Sequence, residues 1–504
     1  MNINNSSRHN YWIVTGAVVV IFMLSYLAFF PAALNGDEAN ILFWGKFFLS
    51  QKEWHAYAID QSRWEVLPGY LYGFFELIGL PTIRPVPFVV NLLELYVTYL
   101  LFKKTTSKMI AICAVLFLAT MPWHLYYSCI VGTCSVISCL VMLSFYYRDR
   151  LIPGILLQAT GLLTYTVFRI FWFWNLIACF KKLRELGKNR LLIFLFSAAL
   201  FVFLVAISKS PLLHILTRGT YNFTQSTLEP MANYLASTIF PLTGFPRGYA
   251  LRDYPAFNVD AIHVGLNLCS SNLPVVGFLM TPLILVGIPS LYRRSNGREF
   301  VFFTIAIWMV LGFMGPSLTR FLFITPFLAL MAAYGFLQIR QKLPGILKNI
   351  LLPLLVGSAI LQNSYILYNL QNRALVEPTF AWRFPLLAKE VSVKCADIAQ
   401  RYLVPARAYR LAAYWAQKTH EYEMVWPFSE SEAVEKIKRQ YDGRVQVVIF
   451  DRPPPSTKPE LVAKYYRGPE IEILLKQGAR VLEEGEFSDM GRTIGTYLKI
   501  VWNK

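Results

Sequence analysis

Hydrophobic positions come in blocks along the first three quarters of the chain, and charged positions collect in the gaps between them. The opening block, Tyr11 to Leu34, contains nothing charged. Further blocks at about 86–102, 109–126, 130–147, 152–166, 169–180, 191–207, 273–291, 299–315, 319–337 and 345–366 bring the total to eleven. Most approach the ~20 residues that a helix needs to cross a bilayer. Strands of a membrane barrel would alternate apolar and polar positions over ~10 residues, and these blocks do not. The first block is too long for a signal-peptide core and has no small-residue cleavage pattern before Asp37, so it reads as a retained helix. The pattern predicts a polytopic α-helical membrane protein with eleven transmembrane helices over residues 1–366.

Two connections are long. The segment 35–85 holds "GDEANILFWGKFFLSQKEWHAYAID" and "RWEVLPGYLYGFFELIGL", amphipathic and aromatic-rich, which suits short helices lying in the interface. The segment 208–272 is punctuated by Pro and Gly, and a connection of that length is more often functional than decorative. After about residue 367 apolar density falls. "SESEAVEKIKRQY" has helical spacing with a Ser cap, "GRVQVVIF" is a short β-branched run, "PELVAKYYRGPEIEILLKQG" is helical in pattern, and "GRTIGTYLKIVW" reads as a final strand. Helices alternating with short strands predict a small α/β domain over 367–504.

Composition agrees with the membrane reading. Charged residues make up 15% of the 504, against about 25% in soluble domains. The net charge of +18 raises the question of nucleic acid, and its distribution answers it. Every second connection is short and basic: Lys103, Lys104 and Lys108; Arg148 and Arg150; Lys181, Lys182, Arg184, Lys188 and Arg190; Arg293, Arg294 and Arg298; Arg340, Lys342 and Lys348. By the positive-inside rule these face the cytoplasm. The N-terminus then lies inside, and the 35–85 connection and the C-terminal domain lie outside an inner or plasma membrane. The basic excess is a topology signal, and no nucleic-acid partner is expected. The seven cysteines contain no CxxC pair, and no phosphate-binding glycine loop occurs.

Candidate chemistry begins in the first exported connection. "LNGDEANILFW" places Asp37 and Glu38 directly after the first span. Farther on come "LPGYLYGFFELIGL", "MPWHLYYS", "LLTYTVFRIFWFW" and "GPSLTRFLFITPFLALMAAYGF". In order and topology these segments resemble the GT-C class of polytopic glycosyltransferases, above all the protein mannosyltransferase-like family that includes lipid A aminoarabinose transferases. The likeness covers most of residues 11–370. It implies a sugar donor on a polyprenyl phosphate, an extracytoplasmic acceptor, and activation of that acceptor by the first acid of the exported loop.

The chemistry suits that arrangement. An acceptor hydroxyl or amine must lose a proton as it attacks the sugar, and a carboxylate at the interface can take it, an effect worth about 10²–10⁴ in rate. Asp37 is the candidate base and Glu38 its neighbour; the competing reading is an interfacial helix start, where acids suit the dipole. The departing lipid phosphate gains charge, which cations stabilise. Arg320 and Arg169 stand at exported ends of spans, against the positive-inside trend, and Lys209, Arg218 and Arg247 lie in the second exported connection. Snorkelling is the competing explanation for the first two. Phe171, Trp172 and Trp174 are candidates for a lipid groove, or else belong to an interfacial belt. His55 and His124 could act in acid–base or metal chemistry, although a lone His is more often structural.

The chain departs from the family pattern in two places, in one of which "LPGYLYG" lacks the basic residue that commonly precedes such prolines. Cys129 stands where the family has Arg, and Thr133 or Cys134 where it has a second acid. The residues therefore name no metal set, and a divalent cation stays open as the only cofactor. The departure also supports a rival reading, a non-catalytic scaffold or assembly subunit on the same fold. A transporter is a second rival; it would carry ionisable groups in mid-span, where Glu94 is the main example.

Overall fold

The structure, a computed structural model, describes residues 5–30, 38–56 in part, 67–80, 83–164, 168–174 except 170, 187–208, 279–313, 322–374, 393–404, 423–424, 430–451, 469–489 and 492–503. The chain divides into two compact units. One comprises Met1–Phe30 with Trp44–Gln371, the other Pro31–Phe43 with Asn372–Lys504.

The first unit is helical. Its elements are α1 (Asn5–Phe29), α2 (Leu67–Leu77), α3 (Pro85–Thr105), α4 (Lys108–Thr120), α5 (Pro122–Tyr127), α6 (Thr133–Tyr146), α7 (Leu151–Thr164), α8 (Gly187–Ala206), α9 (Met280–Tyr292), α10 (Ser295–Phe313), α11 (Thr325–Lys342) and α12 (Leu347–Ala374). Among the described residues, Pro85–Thr105, Asn189–Ala206 and Leu322–Lys342 are long and apolar enough to cross a membrane, and several shorter apolar helices accompany them. One apolar block departs from its expected form. Residues 109–126 were expected as a single span, and the helix instead stops at Thr120 and restarts at Pro122. Proline has no N–H to continue the ladder and suits a first helical position.

The helices of this unit turn their polar side chains inward. α3 exposes Val89, Leu92, Leu93 and Tyr96 and buries Asn91, Glu94 and Thr98. Those three stand at helical spacing on one face. An apolar outer surface is what hydrocarbon solvates, and the polar groups are kept for contacts between helices. Rings fill the interior: Phe145 of α6, Phe303 of α10 and Phe327 of α11 meet with centroids 5.1–5.3 Å apart. α9 and α11 cross at glycines. A Cβ on Gly287 would run into the Met331 carbonyl, and one on Gly335 into the Leu283 carbonyl. Two arginines of the basic connections have acid partners, Arg148 with Glu299 at 2.8 Å and Arg190 with Asp149 at 2.9 Å.

The second unit holds a mixed sheet of β1 (Gln400–Val404), β2 (Glu423–Met424), β3 (Gln446–Asp451), β4 (Ala479–Asp489) and β5 (Arg492–Trp502), with α13 (Glu430–Arg439) and α14 (Pro469–Lys476). The strand order is β2-β1-β3-β5-β4. β1 runs parallel to β2 and β3, while β5 runs antiparallel to β3 and β4. α13 follows the usual soluble pattern, with Val434 and Ile437 inward and Glu435, Lys436, Lys438 and Arg439 outward. They join Tyr402, Val448, Leu474, Leu498, Ile500 and Trp502 in one core. Gly443, at φ 92°, supplies the left-handed turn between α13 and β3.

Candidate functional site

The interruption at Pro122 organises the polar interior of the helical unit. A broken helix leaves backbone groups without ladder partners, and in hydrocarbon each such group costs several kcal/mol unless the protein supplies one. Here the partners come from other elements. Met121 N–H closes onto the Leu118 carbonyl at 3.1 Å. The Thr120 carbonyl accepts from Asn363 Nδ2 of α12 at 2.9 Å. After α5, the Cys129 carbonyl accepts from the Arg84 guanidinium at 2.8 Å. The Gly132 carbonyl accepts from the Tyr72 hydroxyl of α2 at 3.1 Å and from the Ser135 hydroxyl of α6 at 2.8 Å. The two hydroxyl oxygens lie 2.8 Å apart, so either hydroxyl can instead turn its hydrogen to the other.

Arg84 is the informative member. It is 5% exposed, and its guanidinium lies 5.2 Å from the centre of the Phe30 ring, within range of a cation–π contact. Cys129 is the position where the resemblance expects an arginine. The structure brings a guanidinium to that residue's carbonyl from another element, just ahead of the proline that opens α3. The signal was present in "PTIRPVPF", a cation at the end of α3 opposite Lys103 and Lys104. Sequence reasoning applied that criterion to Arg169 and Arg320 and passed over Arg84. Thr133, at the place of the expected second acid, is buried at the start of α6.

Several candidate residues lie outside the described part of the chain: Asp37, Lys209, Arg218, Arg247 and Arg320. Glu38 is described and 1% exposed. A carboxylate at that burial requires polar or cationic partners. Arg169 is half-buried, next to the buried Phe168. Phe171 lies inside the aromatic core, 5.1 Å from the Phe145 ring and 5.0 Å from Phe168. Trp172 stacks on Phe194 of α8 at 3.7 Å, and its Nε1 donates to Ser197 Oγ at 3.0 Å. Trp174 is half-buried with its ring 5.6 Å from Phe303, and Phe173 between them is exposed.

Parts of the first connection pack onto the helical unit. His55 is buried and stacked on Phe48 at 4.0 Å, and its backbone N–H donates to the Tyr70 hydroxyl at 2.8 Å. Trp54 Nε1 donates to the Leu204 carbonyl of α8 at 2.9 Å. A Cβ on Gly45 would strike the Gly69 backbone, so the connection and α2 touch main chain to main chain. The other histidine, His124, lies in α5 with its Nε2 3.6 Å from Glu94 Oε2. Among the described residues no three His, Cys, Asp or Glu side chains are grouped to hold a metal ion.

The helical unit with its broken, inwardly polar interior has the GT-C fold of polytopic membrane glycosyltransferases. The solved structures that show this include ArnT from Cupriavidus metallidurans bound to undecaprenyl phosphate, with a TM-score of 0.57 at 10% identity over 97% of each chain. The apo state of the same protein gives 0.55 at 11% identity over 98% of each. The apo oligosaccharyltransferase of Archaeoglobus fulgidus gives 0.50 at 13% identity, covering 87% of this chain and 69% of that one. At these identities the likeness is one of fold. No protein-family model matches the chain, and no curated protein matches it by sequence.

Proposed function

We propose that the chain is a membrane glycosyltransferase that moves a sugar from a polyprenyl-phosphate donor to an acceptor outside the cytoplasm. One observation carries the reading: nearly the whole chain shares the fold of ArnT, a protein solved with undecaprenyl phosphate bound. In this reading eleven helices of residues 1–366 span an inner or plasma membrane, the basic connections face the cytoplasm, and residues 367–504 form the extracytoplasmic domain.

The acceptor hydroxyl or amine attacks the anomeric carbon, the bond from that carbon to the phosphate oxygen breaks, and the acceptor proton passes to Asp37. Glu38 orients Asp37. Arg169, Lys209, Arg218, Arg247 and Arg320 supply the cations that meet the charge gathering on the leaving phosphate. Trp172 and Trp174, backed by Phe171, line the path of the prenyl chain. Arg84 braces the turn at Cys129. A divalent cation is the only cofactor in question, and chelation during the assay decides it.

The test is transfer from a panel of polyprenyl-phosphate sugars by purified, lipid-reconstituted protein. Asp37→Asn is expected to lose about a hundredfold or more of the wild-type rate. Equal rates would remove Asp37 from the mechanism. The departure at Cys129 and Thr133 favours one second reading, a non-catalytic scaffold on the same fold. Absence of transfer from every donor would support it.

A further inference from the structure

Glu94 stands in the middle of α3 and is wholly buried. A carboxylate at such a depth is costly and is kept where it has partners and a use. Ser138 Oγ of α6 donates to its Oε1 at 2.6 Å, and His124 Nε2 of α5 lies 3.6 Å from its Oε2. All three residues are fully buried, and they come from three elements.

His124 also belongs to the backbone of the helix break. Its carbonyl accepts the Ser128 N–H at 2.9 Å, and the Tyr126 carbonyl accepts the Cys129 N–H at 3.1 Å. The Ser128 hydroxyl donates to the Leu125 carbonyl at 2.6 Å. The side chain that packs beside Glu94 and the turn carrying the Cys129 carbonyl are thus parts of one piece. Arg84 fastens that piece from its other end. Buried ionisable groups are seldom the most stable filling for a core. An apolar pair at positions 94 and 124 would fill the same space but would aim nothing.

We propose that Glu94, His124 and Ser138 form a latch that fixes the Ser128–Gly132 turn, and that Glu94 and His124 are positioning residues for the transfer reaction. The second half rests on the glycosyltransferase reading. None of the three is among the groups assigned to the chemistry, and their effect runs through the geometry of the turn, where a displacement of ~1 Å is enough to cost about a hundredfold in rate.

Thiol labelling reads the latch without any donor. Cys129 and Cys113 are both fully buried, the first on the turn and the second within α4. In the full-length protein in detergent, Glu94→Ala and His124→Phe are expected to speed maleimide labelling of Cys129 at least about tenfold, leaving Cys113 as in wild type. Glu94→Gln and His124→Gln, which each keep a hydrogen-bonding group, are expected to stay within about threefold of wild type. Unchanged labelling of Cys129, or an equal rise at Cys113 and Cys129, overturns the latch. In the transfer assay, Glu94→Ala and His124→Phe should lower kcat at least about tenfold with the donor KM within about threefold, and the glutamine variants should recover most of kcat. Opened labelling with wild-type kcat overturns the positioning role alone. If wild type transfers from no donor, the glycosyltransferase reading fails, and labelling still decides the latch.

Discussion

The two units of this chain solve the same problem in opposite senses. In the helical unit polar side chains point inward, as Asn91, Glu94 and Thr98 do on α3, and the outward positions are Val, Leu and Tyr. In the sheet unit the inward positions are Val434, Ile437, Val448 and Ile500, and charged residues face out. The difference follows from the solvent each pattern suits. Apolar surface gains nothing by leaving hydrocarbon, so contacts between membrane helices rest on packing and on polar pairs. In water the gain comes from burying apolar area, about 25 cal/mol per Å². A polar group buried inside the sheet unit is bonded at both ends of its side chain. Gln446, for example, bonds Trp502 Nε1 at 2.7 Å, Gln400 at 2.9 Å and the Ile437 carbonyl at 3.2 Å.

That contrast is open to attack by substitution, and the largest effect is expected in the helical unit. His124→Leu leaves the Glu94 carboxylate with Ser138 alone and should lower stability by about 3 kcal/mol, read as unfolding in mixed detergent. The double change Glu94→Leu with His124→Leu should restore most of that stability, because an apolar pair of similar size costs little at such a site. Its kcat should stay low. A double variant as unstable as the single one would mean that the polar interior is needed for folding itself.

A smaller effect is expected in the sheet. Gln446→Leu leaves the Trp502 N–H and the Ile437 carbonyl without their partner. It should cost about 1–3 kcal/mol, seen as faster amide exchange in β3 and β5 of the full-length protein. Exchange at the wild-type rate would show that water replaces the lost bonds.

The smallest effect belongs to the exposed Glu483 with the half-buried Lys499 and the buried Tyr497. Lys499 Nζ lies 2.7 Å from Glu483, and the Tyr497 hydroxyl donates to the same carboxylate at 2.7 Å. The Lys499 bond, followed by the Tyr497 bond, holds the Glu483 carboxyl below the usual carboxylate range, and the same contact raises the Lys499 ammonium. A lowered acid stabilises the fold above its unfolded pKa and ceases to as pH falls through the folded one. A raised base stabilises below its unfolded pKa and ceases to as pH rises through the folded one. The difference between wild type and Glu483→Gln, read from amide exchange in β4 and β5, should therefore be flat between about pH 5 and 10. It should shrink beyond either end. A difference that persists at pH 3 would rule out this ion pair as its source.

Legibility differed between the units for the same reason. In the sheet unit "SESEAVEKIKRQY" contains α13, "GRVQVVIF" contains β3, and "GRTIGTYLKIVW" contains β5. α13 has one face toward the core, which writes a period into the chain, and β3, buried on both faces, reads as a continuous β-branched run. β4 escaped notice. Its sequence, "ARVLEEGEFSD", does not alternate cleanly, and as an edge strand its acids protect an open side. In the helical unit the blocks mark where apolar helices lie but not what happens within them. A proline that breaks a span and a proline that starts one look alike in a hydropathy pattern, so the division of 109–126 was not visible.

The candidate site was legible to the extent that its residues stand in a nameable sequence context. Asp37 and Glu38 after the first span, and the cations against the inside rule, could be found by position alone. Arg84 satisfied the same rule and was passed over, because its importance depends on the Cys129 carbonyl 45 positions away in the chain. His124 and Glu94 were each noticed singly, and only packing places them 3.6 Å apart.

By itself, then, the sequence determined the solvent of each part: apolar blocks separated by basic connections for a membrane, and short periodic elements for a small sheet domain. Those properties are sums over neighbouring residues, and the chain states them locally. The partners of the broken helix at Pro122 were decided by tertiary structure alone. A backbone group left open in hydrocarbon takes whatever donor folding brings within about 3 Å, and no local pattern records which helix will supply it.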